Sequence, residues 1–152
     1  MDIEKRLKEA GIIIPEVSKP IAAYLPGKRS GNLIFTSGQL PLVNGKVKYT
    51  GKLGEDLTLE DGQAAARTAV INCLAVVKSM AGSWDAVAGM VKITGLVQSA
   101  PDFFQQAQVL NGASELLQQI FGENGQHARS AIGVNALPLN AAVEIEMIAQ
   151  LK

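Results

Sequence analysis

The chain has 152 residues, enough for one domain with a substantial apolar core. It is 47% hydrophobic and 5% aromatic, and its 14 Lys plus Arg balance 14 Asp plus Glu with no basic run longer than two, which argues against a phosphate-tracking nucleic-acid surface. One cysteine excludes an internal disulfide and a cysteine zinc cluster, no apolar run approaches the ~20 residues of a membrane span, and the start MDIEKRLKEAG lacks a signal-peptide core, so a cytoplasmic protein without metal or membrane is expected.

Asp2 is placed to cap a short amphipathic helix with Ile3 and Leu7 on one face and Gly11 as its stop. Lys5, Arg6 and Lys8 alternate with Glu4 and Glu9, the pattern of a solvated face. The stretch IIIPEVSKPIAAYLPGKRSG carries three prolines and reads as loop, extended chain or edge strand. NLIFTSGQLPLVNGKVKY reads as a hairpin turning at Asn44-Gly45, with a bulge or kink at Gly38–Pro41.

Thr58, followed by Glu60 and Asp61, opens a long helix that Gly82 ends. Ala66, Ala69, Val70, Cys73, Val76, Val77 and Met80 form its apolar stripe, widened by Ile71 and Leu74. Cys73 inside the stripe reads as a small core side chain. MVKITGLVQS then alternates Val91, Ile93 and Val97 against Lys92, Thr94 and Gln98, a half-buried strand. A second long helix is expected from Pro101-Asp102 to about Phe121, with Phe103, Ala107, Leu110, Leu117 and Phe121 on one face. Asn111-Gly112 conflicts with its interior, because glycine costs about 1 kcal/mol there. Two readings stand: a neighbouring backbone packs against Gly112, or Asn111 presents its amide to a site.

SAIGVNAL and AAVEIEMIAQ, joined by a Pro138–Asn140 turn, read as a terminal strand pair. Val143, Ile145, Met147 and Ala149 point one way and Glu144, Glu146 and Ile148 the other. The order of elements predicts an α+β two-layer sandwich, a mostly antiparallel sheet with two long helices on one face. The open sheet face, carrying apolar residues, glycine and a few polar groups, would need a partner, so an oligomer is expected.

The candidates for chemistry are few. Arg129 lies where the loop GQHARS enters the strand, and Glu144 opens the last strand. They read either as a structural ion pair across the terminal hairpin or as a fork for a ligand carboxylate with a group to hold water or move a proton. His127, the single histidine, has no partner at a motif spacing and reads as a loop residue or a support. Tyr24 reads as a half-buried phenol, and Ser37 as a hydrogen-bond donor rather than a nucleophile. GxSxG, HExxH and P-loop patterns are absent.

Taken together, IFTSGQLP (34–41), VLNGASELL (109–117), HARSAIGV (127–134) and LPLNAAVEIEMIA (137–149) resemble the RidA/YjgF family of reactive-intermediate deaminases, also called endoribonuclease L-PSP-like, in order and spacing from about Pro20 onward. The resemblance implies one chorismate-mutase-like domain over 1–152, with a helical extension over about 1–19, assembled as a homotrimer. It implies hydrolysis of 2-imino or enamine acids to 2-oxo acids and ammonia in clefts between subunits, without metal or organic cofactor. Arg129 would bind the substrate carboxylate and Glu144 would position or activate water. Tyr24, Ser37, Gly38, Asn111 and Ala131 would line the cleft. Two positions depart from the family's pattern: Ala131 stands where many members have Cys, and His127 where Pro is common. The competing readings are a small-carboxylate binder or sensor without turnover, and an endoribonuclease, against which the neutral charge speaks.

Overall fold

The computed structural model describes residues 2–17 and 23–152. The elements in chain order are helix α1 (Ile3–Glu9), strands β1 (Gly27–Ser30), β2 (Leu33–Thr36), β3 (Leu42–Val43) and β4 (Lys46–Val47), helix α2 (Leu59–Ala81), strand β5 (Val87–Gln98), helix α3 (Gln106–Phe121), and strands β6 (Ala128–Val134) and β7 (Val143–Leu151). Five strands form one sheet in the order β1-β2-β7-β5-β6, antiparallel except for β5 and β6. Helices α2 and α3 pack on one face of it and on each other. The protein is an α+β two-layer sandwich.

The local signals act as their chemistry dictates. Asp2 accepts from the Lys5 amide at 3.0 Å and caps α1, whose Ile3 and Leu7 are buried. Thr58 and Asp61 form a reciprocal capping box, and Gly82 ends α2 at φ 76°. Asn44 and Gly45, both at positive φ, turn β3 into β4. The break at Gly38–Pro41 divides the expected hairpin between two sheets: β2 joins the main sheet, and β3 and β4 form their own ribbon. Of the proline-rich segment, residues 18–22 lie outside the described residues, and its last part supplies the edge strand β1.

Helix α2 has the length and apolar content of a membrane span. Its buried row from Ala65 to Val77 is nevertheless spent on the core of the sandwich. Cys73 is fully buried there, its Sγ 3.2 Å from the Ile145 carbonyl, and burial pushes its thiol up to about 12.

Several expectations need correction. The last two strands are not a hairpin. Helix α3 is a crossover that lays β6 parallel to β5 on the sheet's outer side, and β7 enters between β2 and β5. The reason lies in the side chains beneath: β7 sends five apolar residues, Val143, Ile145, Met147, Ala149 and Leu151, into the core and suits the centre, whereas β6 sends Arg129, Ala131 and Gly133 to that face and suits the edge. A β-bulge between Met90 and Lys92 reverses the alternation of β5, so Met90 is buried and Val91 faces out. Gln98 is only 2% exposed, because its amide bonds to Gly51, Asn140 and Leu137 and pins the turn before β7.

Helix α3 begins at Gln106, not at Pro101. Residues 101–105 form a turn that buries Phe103, and Ala107 is exposed. Gly112 abuts the backbone of Gln63 on α2, leaving no room for a Cβ, which settles the glycine half of the Asn111-Gly112 conflict in favour of packing. Gly95 faces α3, where the Leu110 side chain occupies the space of its missing Cβ.

Candidate functional site

Arg129 shares a row across the sheet with Ile93 and Met147, so its side chain leaves on the helix-covered face, at the β6 edge. It is half-buried, and Nη1 donates to Asn111 Oδ1 at 2.9 Å and Ser114 Oγ at 3.2 Å, both on α3. The Asn111 amide oxygen is thus turned to Arg129, while Gly112 packs on α2. Nε and Nη2 have no hydrogen bond or ion pair among the described residues. A guanidinium held by one nitrogen keeps the adjacent N–H pair that grips a carboxylate in two parallel bonds.

Glu144 lies in another row, with Leu96 and Ile132, on the opposite face of the sheet. From Arg129 it is roughly 10 Å along the strands and roughly 10 Å across them. The ion-pair reading thus fails: β5 stands between the two strands, and the side chains point away from each other. Glu144 lines a cavity of about 200 Å³ with Gly38, Thr94, Leu96 and Glu146. Gln39 pairs with Ile145, which sets Gly38 directly over the Glu144 carboxylate, where a Cβ would collide with Oε1. Burial, and then the like charge of Glu146, push the Glu144 carboxyl above the usual range.

Ser37, beside Gly38, donates to the Leu25 carbonyl at 2.6 Å. Tyr24, next to Leu25, is 56% exposed. Ala131 directs its methyl toward the core. The residues singled out in the sequence fall into two groups: Arg129 and Asn111 at the helix-side edge, and Ser37, Gly38 and Glu144 on the open face, with Tyr24 near Ser37.

Two contributors are missed by motif reading. Thr94 lines the Glu144 cavity. Ser114 joins Arg129 to His127, whose Nε2 is 2.9 Å from Ser114 Oγ and whose Nδ1 is 2.6 Å from the Gly125 carbonyl. The signal for Ser114 is its i+3 spacing from Asn111, which puts both on one helix face. Among the described residues no cluster of three or more His, Cys, Asp or Glu side chains is arranged to hold a metal ion.

A family model described as YjgF/chorismate mutase-like, putative endoribonuclease, matches residues 4–151. The chain is 39% identical over 150 residues to Protein TCP17 of Trypanosoma cruzi, covering 98% of this chain and 94% of that protein. It is 36% identical over 131 residues to the 2-iminobutanoate/2-iminopropanoate deaminase of Escherichia coli K12, covering 85% and 88%. Among solved structures, Atu1372 of Agrobacterium tumefaciens, of unknown function, superimposes with a TM-score of 0.92 at 42% identity, over 99% of this chain and 92% of that one. With a match running from the first helix to the last strand, this chain belongs to the YjgF/chorismate mutase-like family, whose members include RidA-type imine deaminases.

Proposed function

We propose that the protein hydrolyses 2-imino or enamine acids to 2-oxo acids and ammonia, in clefts between the subunits of a homotrimer. The observation that carries this reading is the arrangement of Arg129: Nη1 is committed to α3, and Nε and Nη2 remain for a planar carboxylate. An iminium carbon is already electrophilic, so the reaction calls on no covalent nucleophile, metal or organic cofactor. Water adds to the C=N carbon and gives its proton to a base, a carbinolamine forms, and ammonia leaves as the C=O bond closes. Glu144 is the base, and burial, by raising its carboxyl, makes the carboxylate a stronger proton acceptor. Because Glu144 and Arg129 leave opposite faces of one sheet, the cleft takes its carboxylate fork from one subunit and its base from the next.

The test couples the protein to an amino-acid dehydratase or oxidase that releases imino acid. Addition of the protein is expected to accelerate formation of 2-oxo acid and ammonia, and Arg129→Ala to lower the acceleration by at least about thirtyfold. No acceleration over free-solution hydrolysis across several imino acids would overturn the reading.

One observation favours a second reading, a carboxylate binder without turnover: the fork is complete within a single chain, whereas the base is not beside it. That reading predicts saturable 2-oxobutanoate binding, lost in Arg129→Ala, with no catalysis.

A further inference from the structure

The hydrogen bonds behind Arg129 have a direction. The Gly125 carbonyl only accepts, so His127 Nδ1 carries the proton in their 2.6 Å contact. In the neutral ring Nε2 is then an acceptor, and the Ser114 hydroxyl donates to it at 2.9 Å. With its hydrogen so committed, Ser114 Oγ turns lone pairs toward Arg129 Nη1, 3.2 Å away. The start of this chain of bonds is rigid. Gly125 is buried with its backbone against Leu117 and Gln118 of α3, too close for a Cβ, so the carbonyl that selects the tautomer is fixed in place. The end of it carries weight, because no carboxylate among the described residues pairs with Arg129. Two neutral oxygens, those of Asn111 and Ser114, do all the orienting.

We propose that His127, through Ser114, is a positioning residue for the Arg129 fork: the Nδ1–H tautomer turns the Ser114 hydroxyl so that it holds Nη1 and leaves Nε and Nη2 aimed at the ligand carboxylate. The proposal rests on the reading of Arg129 as the carboxylate site. It gives the chain's only histidine a role that needs neither contact with the ligand nor a proton transfer in the reaction. An imidazole at this position supplies the acceptor that takes the Ser114 hydrogen.

Two measurements test it. A single histidine gives one pair of imidazole nitrogen resonances, so nitrogen NMR of the labelled protein in alkaline buffer, with the ring neutral, reads the tautomer directly. The expected result is a protonated Nδ1 and a bare Nε2; a protonated Nε2 overturns the proposal. The second measurement is 2-oxobutanoate affinity by calorimetry. Ser114→Ala and His127→Leu are each expected to weaken binding about tenfold, the size of one charge-assisted hydrogen bond. The double variant should be no weaker than Ser114→Ala alone, because both changes break one chain of bonds. His127→Gln should recover most of the affinity, since its amide oxygen reaches the place of Nε2, and this recovery separates positioning from general damage to the fold. Additive losses, or unchanged affinity in both single variants while Arg129→Ala abolishes binding, overturn the relay and leave the Arg129 reading intact. Unchanged affinity in Arg129→Ala overturns both.

Discussion

Glu144 is half-buried beneath Gly38, with Glu146 two residues along the same face of β7. Burial and then Glu146 both favour its protonated form, so the fraction available as base falls off at a higher pH than for an ordinary glutamate. If Glu144 is the base, the acidic limb of kcat/KM lies above the usual carboxylate range. Glu146→Gln removes the like charge and moves that limb to lower pH. It does not restore the ordinary position, because burial is the larger cause. A pH–rate profile of the two proteins checks this, and an acidic limb that ignores Glu146→Gln would count against Glu144. At this scale the sequence was informative about residue type and poor about partners. A cation entering a strand and a carboxylate alternating with apolar residues mark Arg129 and Glu144 as unusual. Nothing local says that they leave opposite faces, because that depends on β5 lying between their strands.

At the scale of elements, periodicity identified both long helices, the Thr58–Asp61 capping box and Gly82 fixed the ends of α2, and Asn44-Gly45 identified its turn, since each is decided by neighbours within a few residues. Strand order was not legible. The choice between pairing β6 with β7 and inserting β7 into the sheet is made by contacts distant in sequence, and one bulge at Met90–Lys92 is enough to reverse which residues of β5 face the core. Gly112 shows local and distant effects opposing each other, and magnitudes decide between them. Replacing a helix-interior glycine with alanine gains about 1 kcal/mol of intrinsic propensity. Here the added methyl meets the Gln63 backbone, and overpacking of a rigid contact costs about 1–3 kcal/mol. Gly112→Ala is therefore expected to destabilise, lowering the urea midpoint without a change in slope. A stabilised variant would show that α2 and α3 part without cost. Because Asn111 is the next residue, the shift should also weaken 2-oxobutanoate binding.

For the whole molecule, the question is what covers the open face of the sheet. Phe35 at 39% exposure and Ile132 at 45% stand there with half-buried Leu33, Leu96 and Ile148, flanked by Thr94, Ser130, Glu144 and Glu146. An apolar sheet face rimmed by polar groups is the pattern of a surface meeting another copy. The β6 edge that carries Arg129 is unpaired among the described residues, so the same assembly can bring one copy's fork toward another copy's open face. The proposed trimer thus makes catalysis depend on association, and this can be tested by a residue outside the chemistry. Ile132 shares a row with Glu144 but contributes no polar group. Ile132→Glu places a third carboxylate beside Glu144 and Glu146 on a face that must be desolvated on assembly, a cost of several kcal/mol for each buried charge. Sedimentation should show a trimer for the wild type and a monomer for Ile132→Glu at micromolar concentration. Imine hydrolysis should collapse with the trimer, while 2-oxobutanoate binding at Arg129 is only reduced, because the fork is built within one chain. A monomeric wild type with full activity would remove the need for a second copy, and a single chain would then have to bring Glu144 and Arg129 to one substrate across its own sheet.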